Sequence, residues 1–213
     1  AKSASEKENL AYNTAERQYI NGKYVNAITS LKKYITDYPL GSKLANAYFY
    51  LGESLNKSGK FEEALDSYLK VMEMGEGSFT VLATLNYARN SYKLENYKQA
   101  YKAYASLDNI AKIDNNKVEA KLGKVNSLFM DKQYKEAVNE AVNLNSASLD
   151  EDRKTRLKFV IAKSRFMTGE RSTAVNSLKE LAKNHASVEG AESNYLLILN
   201  SFENGNFKEV ENM

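Results

Sequence analysis

The sequence predicts an all-α chain folded as a row of antiparallel helix hairpins, about five and a half of them, and three observations predict it. The 213 residues contain a single proline, Pro39, which favours long helices and short turns over a fold with many strand ends. Ala27, Ala64, Ala100, Ala137 and Ala174 recur at spacings of 37, 36, 37 and 37, with Val210 in register 36 further on, and a regular period of this length is the mark of a repeat architecture. Three residues before each stands Tyr24, Phe61, Tyr97, Tyr134, Arg171 or Phe207, aromatic in all cases but Arg171.

The second helix of each unit comes directly from that register. Four and seven residues after the alanine come Leu31 and Tyr34, Tyr68 and Val71, Tyr104 and Leu107, Ala141 and Leu144, and Leu178 and Leu181, an apolar stripe on one face of a 3.6-residue helix. Twelve residues before the alanine, a compact residue recurs inside a second periodic segment: Ala15, Gly52, Ala88, Val125, Ala162 and Ile198. Facing small residues let two backbones cross closely, so this segment is the partner helix. Between the paired helices stand Asn21-Gly22, Ser58-Gly59, Glu95-Asn96, Asp131-Lys132, Thr168-Gly169 and Asn204-Gly205, stop signals that close the last carbonyls and reverse the chain.

Breaks between units are expected at Tyr38-Pro39-Leu40-Gly41, Gly75-Glu76-Gly77, Asn115-Asn116, Asn145-Ser146 and His185-Ala186-Ser187, with capping boxes at Ser5-x-x-Glu8 and Ser148-x-x-Glu151. The repeats then span approximately 8–41, 45–77, 81–114, 118–147, 155–187 and an incomplete 191–213, within one solenoid over 1–213. A final helix is expected from Phe207 to Met213, too short to cap the apolar residues Leu196, Leu199, Phe202 and Val210 of the sixth hairpin. Such an end implies a segment of a larger repeat protein or a surface for self-association through residues 191–213.

Composition narrows the function. Thirty basic and 27 acidic residues mix along the chain to a net charge of +3, which creates no strong field for nucleic acid or an anionic membrane. No long apolar run or leader-like start is present in the sequence, so neither direct membrane insertion nor a signal peptide is expected. There is no cysteine, and His185 is the only histidine, which leaves no dyad and no imidazole or thiolate metal set. Glu62-Glu63 and Glu151-Asp152 read as helix-start carboxylates that complement the dipole. Lys154, Arg156, Lys158, Lys163 and Arg165 spread around a helix without an alternating aromatic row. Neither an enzyme nor a nucleic-acid binder is expected, and no cofactor is called for.

Tyr48, Leu51, Gly52, Gly59, Phe61, Ala64 and Tyr68, in AYFYLGESLNKSGKFEEALDSYLKV, resemble a near-consensus tetratricopeptide repeat (TPR). The first repeat, AERQYINGKYVNAITSLKKYITDYP, is similar to the pattern of bacterial envelope members such as Tol-Pal coordinators and outer-membrane assembly lipoproteins. The later repeats drift, with Lys124 and Arg171 where a leucine and an aromatic are usual. The resemblance implies a right-handed superhelical solenoid with a concave groove lined by the first helix of each pair, and a bacterial cell-envelope or periplasmic setting.

Carried residue by residue, the family pattern puts Tyr12, Phe49, Leu85, Leu122, Phe159 and Tyr195 at its fifth position. Its ninth position holds Glu16, Glu53, Arg89, Asn126, Lys163 and Leu199, and its twelfth holds Tyr19, Asn56, Tyr92, Phe129, Phe166 and Phe202. These rows imply a groove for a protein or peptide, with rings as anchors and the charged residues setting polarity. The same stripes also read as core that packs on the next repeat. The lysine and asparagine pair of a carboxylate clamp is absent from these positions, so an acidic C-terminal peptide is not the expected ligand.

Overall fold

The computed structural model describes residues 3–206 and 208. Among them are eleven α-helices, one 3-10 turn and no strand. The helices are α1 (Ala4–Ile20), α2 (Tyr24–Asp37), α3 (Leu44–Lys57), α4 (Phe61–Glu73), α5 (Thr80–Lys93), α6 (Tyr97–Ile110), α7 (Asp114–Met130), α8 (Tyr134–Val142), α9 (Glu151–Met167), α10 (Arg171–Ala182) and α11 (Val188–Glu203). The predicted helix from Phe207, with Val210, lies outside the described residues. The chain forms two compact units, Ala1–Ala120 and Lys121–Met213.

In the first unit each helix packs on its neighbour in sequence, and α1 also meets α3. The alanines that set the repeat are the points of closest approach: Ala27, Ala64 and Ala100 are fully buried, as are their partners Ala15 and Ala88. Gly52 takes this role in α3, because a Cβ there would stand 2.7 Å from Cε1 of the Tyr68 ring. The second unit repeats the arrangement with Ala137, Ala174, Val125 and Ala162, and α9 packs on α8, α10 and α11.

A further row accompanies the alanines. Ser54, Ser91, Ser127, Ser164 and Ser201 recur at the same period on the first helices and are all buried. The hydroxyls of the first four have no hydrogen-bond partner. Serine here is a small residue accommodated in the core, a role that its polarity conceals.

The hairpin turns share one conformation. Gly22, Gly59, Gly169 and Gly205 have φ between 71° and 93°. At the same register Glu95 and Lys132 adopt φ of 61°, a left-handed geometry that costs a residue with a Cβ about 1 kcal/mol. The turn is thus imposed by packing of the flanking helices even where glycine is missing.

Three local expectations are corrected. The capping box at the first helix is Ser3 with Glu6, whose side chains exchange bonds with each other's backbone N–H. Ser5 lies inside α1, and Glu8 accepts instead from the Tyr34 hydroxyl at 2.9 Å and the Ser42 N–H at 2.8 Å. At α9 the cap is Asp150, which accepts from the Arg153 N–H, while Ser148 belongs to the preceding 3-10 turn. Asn115 and Asn116 lie within α7, whose first turn begins at Asp114, and the break falls at residues 111–113.

Candidate functional site

The rings nominated as exposed anchors are mostly core, which corrects that part of the groove. Tyr12, Phe49, Leu85, Phe129, Phe159 and Phe166 are buried. Their helices are covered on more than one side, so an apolar residue there is sealed by its own partner helix or by the next hairpin. Tyr12 meets Tyr34 edge-on at 5.8 Å, Phe49 stacks on Phe79 at 4.4 Å, and Phe129 meets Phe159 at 6.3 Å. Truncating any of them opens a cavity before it removes a contact with a ligand. Leu122, Asn56, Tyr19 and Tyr92 are half-buried, and Tyr195 and Phe202 on α11 are 63% and 60% exposed.

The ninth-position row is the polar part of the surface. In the first unit Glu16 on α1 accepts from the Tyr12 hydroxyl at 2.8 Å. Glu53 on α3 accepts from the Tyr68 hydroxyl and from Asn86 Nδ2, both at 2.6 Å. Arg89 on α5 clasps Glu119 on α7 with two bonds of 2.6 Å from Nε and Nη2. Neither Glu16 nor Glu53 has an ion pair among the described residues, although the charge of Glu53 reaches Arg89.

Between these carboxylates lies a group of half-buried phenols. Tyr19 of α1 and Tyr50 of α3 have ring centroids 4.8 Å apart, and Tyr24 stands 6.0 Å from Tyr19. Burial, then the carboxylate of Glu53, raises the Tyr19 hydroxyl above its usual range, and burial followed by Glu16 does the same to Tyr50. The Tyr68 hydroxyl is raised further, first by burial and then by its bond to Glu53. Tyr19, Tyr50 and Tyr68 therefore stay neutral donors at physiological pH.

In the second unit the row is neutralised internally. Lys163 on α9 pairs with Glu192 on α11, and its Nζ lies 5.6 and 5.7 Å from the Phe129 and Phe159 ring centroids. Arg156 pairs with Glu189 at 3.8 Å and faces the same two rings, and Lys124 pairs with Glu140 at 3.1 Å. Asn126 is half-buried beside them on α7. The basic stretch seen in the sequence is therefore largely consumed by glutamates, with Lys154 on Glu151 and Arg165 on Glu170 as well.

Other features are structural. His185 is exposed in a turn, and Glu62-Glu63 and Glu151-Asp152 occupy the first turns of α4 and α9. Among the described residues no group of carboxylates and imidazoles could hold a metal ion, and no helix is long and apolar enough to cross a membrane. A groove of about 340 Å³ between α1 and α2 is lined by Leu10, Ala11 and Thr14 with Lys7 and Lys33 at its edge. None of the nominated residues lines it. The polar partners Asn86, Glu119 and Glu192 escaped sequence reasoning, because each lies about thirty residues from the residue that it meets.

The tetratricopeptide repeat family model matches residues 46–73, which are α3, α4 and the turn between them. A tetratricopeptide repeat protein from Parabacteroides merdae is 17% identical with a TM-score of 0.65, the match covering 96% of this chain and 79% of that one. A double mutant of MamA RS-1 is 15% identical over 92% of this chain and 97% of its own, with a TM-score of 0.59. MamA from Desulfovibrio magneticus RS-1 is 17% identical over 84% and 94%, with a TM-score of 0.56. No curated protein matches the sequence. At these identities the likeness establishes the fold, a TPR-like assembly of helix hairpins.

Proposed function

We propose that this chain is a non-enzymatic scaffold that holds a protein or peptide on the exposed surface of its first helices. The observation that carries the reading is the pair Glu16 and Glu53, two carboxylates bonded only to neutral donors and set beside the half-buried rings of Tyr19 and Tyr50. A TPR-like fold of rigid hairpins suits such a surface, because the binding groups are held by packed helices and lose little freedom on association. Arg89 and Tyr92 continue the surface in the first unit. In the second unit Leu122, Asn126, Lys163 and Tyr195 form a surface of that unit's own, and within each unit the buried layer beneath is Tyr12, Phe49 and Leu85 or Phe129, Phe159 and Phe166. Binding needs no cofactor. The first repeat's similarity to envelope-associated TPR proteins supports a bacterial cell-envelope setting.

The test is affinity capture with the chain as bait beside Glu16→Gln/Tyr19→Ala, with Glu62→Gln/Glu63→Gln on α4 as control, all at verified equal helicity. Loss of a specific partner in the first variant alone is expected. Equal capture by both variants would move binding away from the first helices.

A second reading is self-association through residues 191–213. It is favoured by α11, which exposes Val188, Tyr195 and Phe202 along its length, an apolar display of the kind that finds partners. Sedimentation equilibrium should then show a dimer that Phe202→Asp dissociates. A monomer at all concentrations would dispose of the idea.

A further inference from the structure

The register that holds a cation, Lys163, in the second unit holds Glu16, Glu53 and Arg89 in the first. In the second unit a cation, Lys163, is held between aromatic faces, Phe129 and Phe159, and a carboxylate, Glu192. Arg156 repeats the pattern with the same rings and Glu189. In the first unit Glu16 and Glu53 stand at the register of Lys163 itself, beside the rings of Tyr19 and Tyr50, and no cation of the described chain pairs with either glutamate. Arg89, also at that register, is paired as Lys163 is, with both arms of its guanidinium on Glu119. Along Glu16, Glu53, Arg89 and Glu119, three carboxylates face one guanidinium, which leaves a net charge of −2 on the row.

We propose that the α1 and α3 surface formed by Glu16, Glu53, Tyr19 and Tyr50 takes a lysine or arginine side chain of an incoming protein segment, which supplies the cation that neither glutamate meets among the described residues. This deepens the scaffold reading and rests on it. Each ingredient has a physical role. The tyrosine faces attract a cation through the ring quadrupole. Each glutamate uses one oxygen on neutral donors, Tyr12 for Glu16, and Tyr68 and Asn86 for Glu53, and so is fixed in place while its negative charge remains for a cationic partner. Tyr68 is buried, which makes the Glu53 carboxylate part of a rigid frame rather than a mobile surface group. A mixed site of this kind selects by sign: a basic segment is attracted, and an acidic one meets like charge.

Three short, unstructured peptides serve as probes: an alternating alanine–lysine peptide, its alanine–glutamate counterpart, and a neutral alanine–serine peptide. Each is titrated into the isotope-labelled chain, and backbone amide shifts are followed. The lysine peptide is expected to shift residues around Glu16, Tyr19, Tyr50 and Glu53, and to bind about tenfold more weakly to Glu16→Gln/Glu53→Gln. Raised salt should weaken it in the same direction. Binding of the lysine peptide that is unchanged in the double variant, or that maps elsewhere, overturns the proposal. If the glutamate or serine peptide shifts the same first-helix residues as strongly, cation selection fails while the scaffold reading stands. If none of the three perturbs any first helix, the cation proposal falls, and the scaffold reading stands or falls by the capture experiment. Glu16→Gln alone, which leaves the Tyr68–Glu53 bond untouched, guards against loss of binding through disturbed packing and should show part of the weakening.

Discussion

At one register of the first helices, the two units place opposite charges and hold them by opposite means. Glu53 in the first unit is fixed by a phenol and an amide, both neutral, across α3, α4 and α5. Lys163 in the second is fixed by a glutamate and two phenyl rings across α7, α9 and α11. The first arrangement ties three helices together and leaves the charge available, whereas the second ties its helices by cancelling the charge. A repeat position can therefore tie its helices together with the charge cancelled in one hairpin and with the charge left without an ion pair in another.

The comparison breaks most clearly under deletion. Glu53→Ala strands the buried Tyr68 hydroxyl without its acceptor, which should cost about 1–3 kcal/mol in a urea melt. Lys163→Ala removes a partly exposed ion pair and should cost under about 1 kcal/mol. Added salt should shrink the second loss and leave the first, because screening acts on exposed charges and not on a hydrogen bond to a buried phenol. Equal costs, or equal salt sensitivity, would erase the distinction between the units.

A smaller effect separates them at high pH. Burial pushes the hydroxyls of Tyr34 and Tyr104 up to about 12, helped by a bond to Glu8 in the one case and the charge of Glu119 in the other. Tyr12 and Tyr68 are shifted further in the same direction, again chiefly by burial. These groups keep their protons in the folded chain while the unfolded chain loses them near the ordinary value of 10.0. Their stabilisation is thus complete below pH 10 and declines as pH rises from 10 towards 12. All four lie in the first unit, and the tyrosines of the second, Tyr134 and Tyr195, are not buried. Amide exchange should therefore show α1 to α6 losing protection before α8 to α11 as pH is raised, and Tyr104→Phe should delay the loss. Simultaneous loss would show that the units do not differ in this respect.

Much of the fold was legible because packing writes itself into spacing. A fully buried alanine at a helix crossing tolerates nothing large, so Ala27, Ala64, Ala100, Ala137 and Ala174 stand out in the raw sequence. The serine row has the same period and is buried too, yet a hydroxyl does not mark a position as core in the sequence. The candidate site was legible only in part. The charged positions were found, but helical spacing cannot distinguish a ring facing solvent from one sealed by the next hairpin, as Phe49 is by Phe79. Pairings such as Arg89 with Glu119 depend on how consecutive first helices are brought side by side, and no local pattern announces that.

Among the described residues, the helix packing within each unit runs between sequence neighbours or between one first helix and the next. Each hairpin can therefore close as soon as its own residues exist, with no long loop to be drawn in beforehand. A chain built this way is suited to folding while it is being synthesised, one hairpin after another onto the last. In the first unit, the Tyr68 clasp on Glu53 needs only α3 and α4, so that carboxylate is held in place before the second unit has been made.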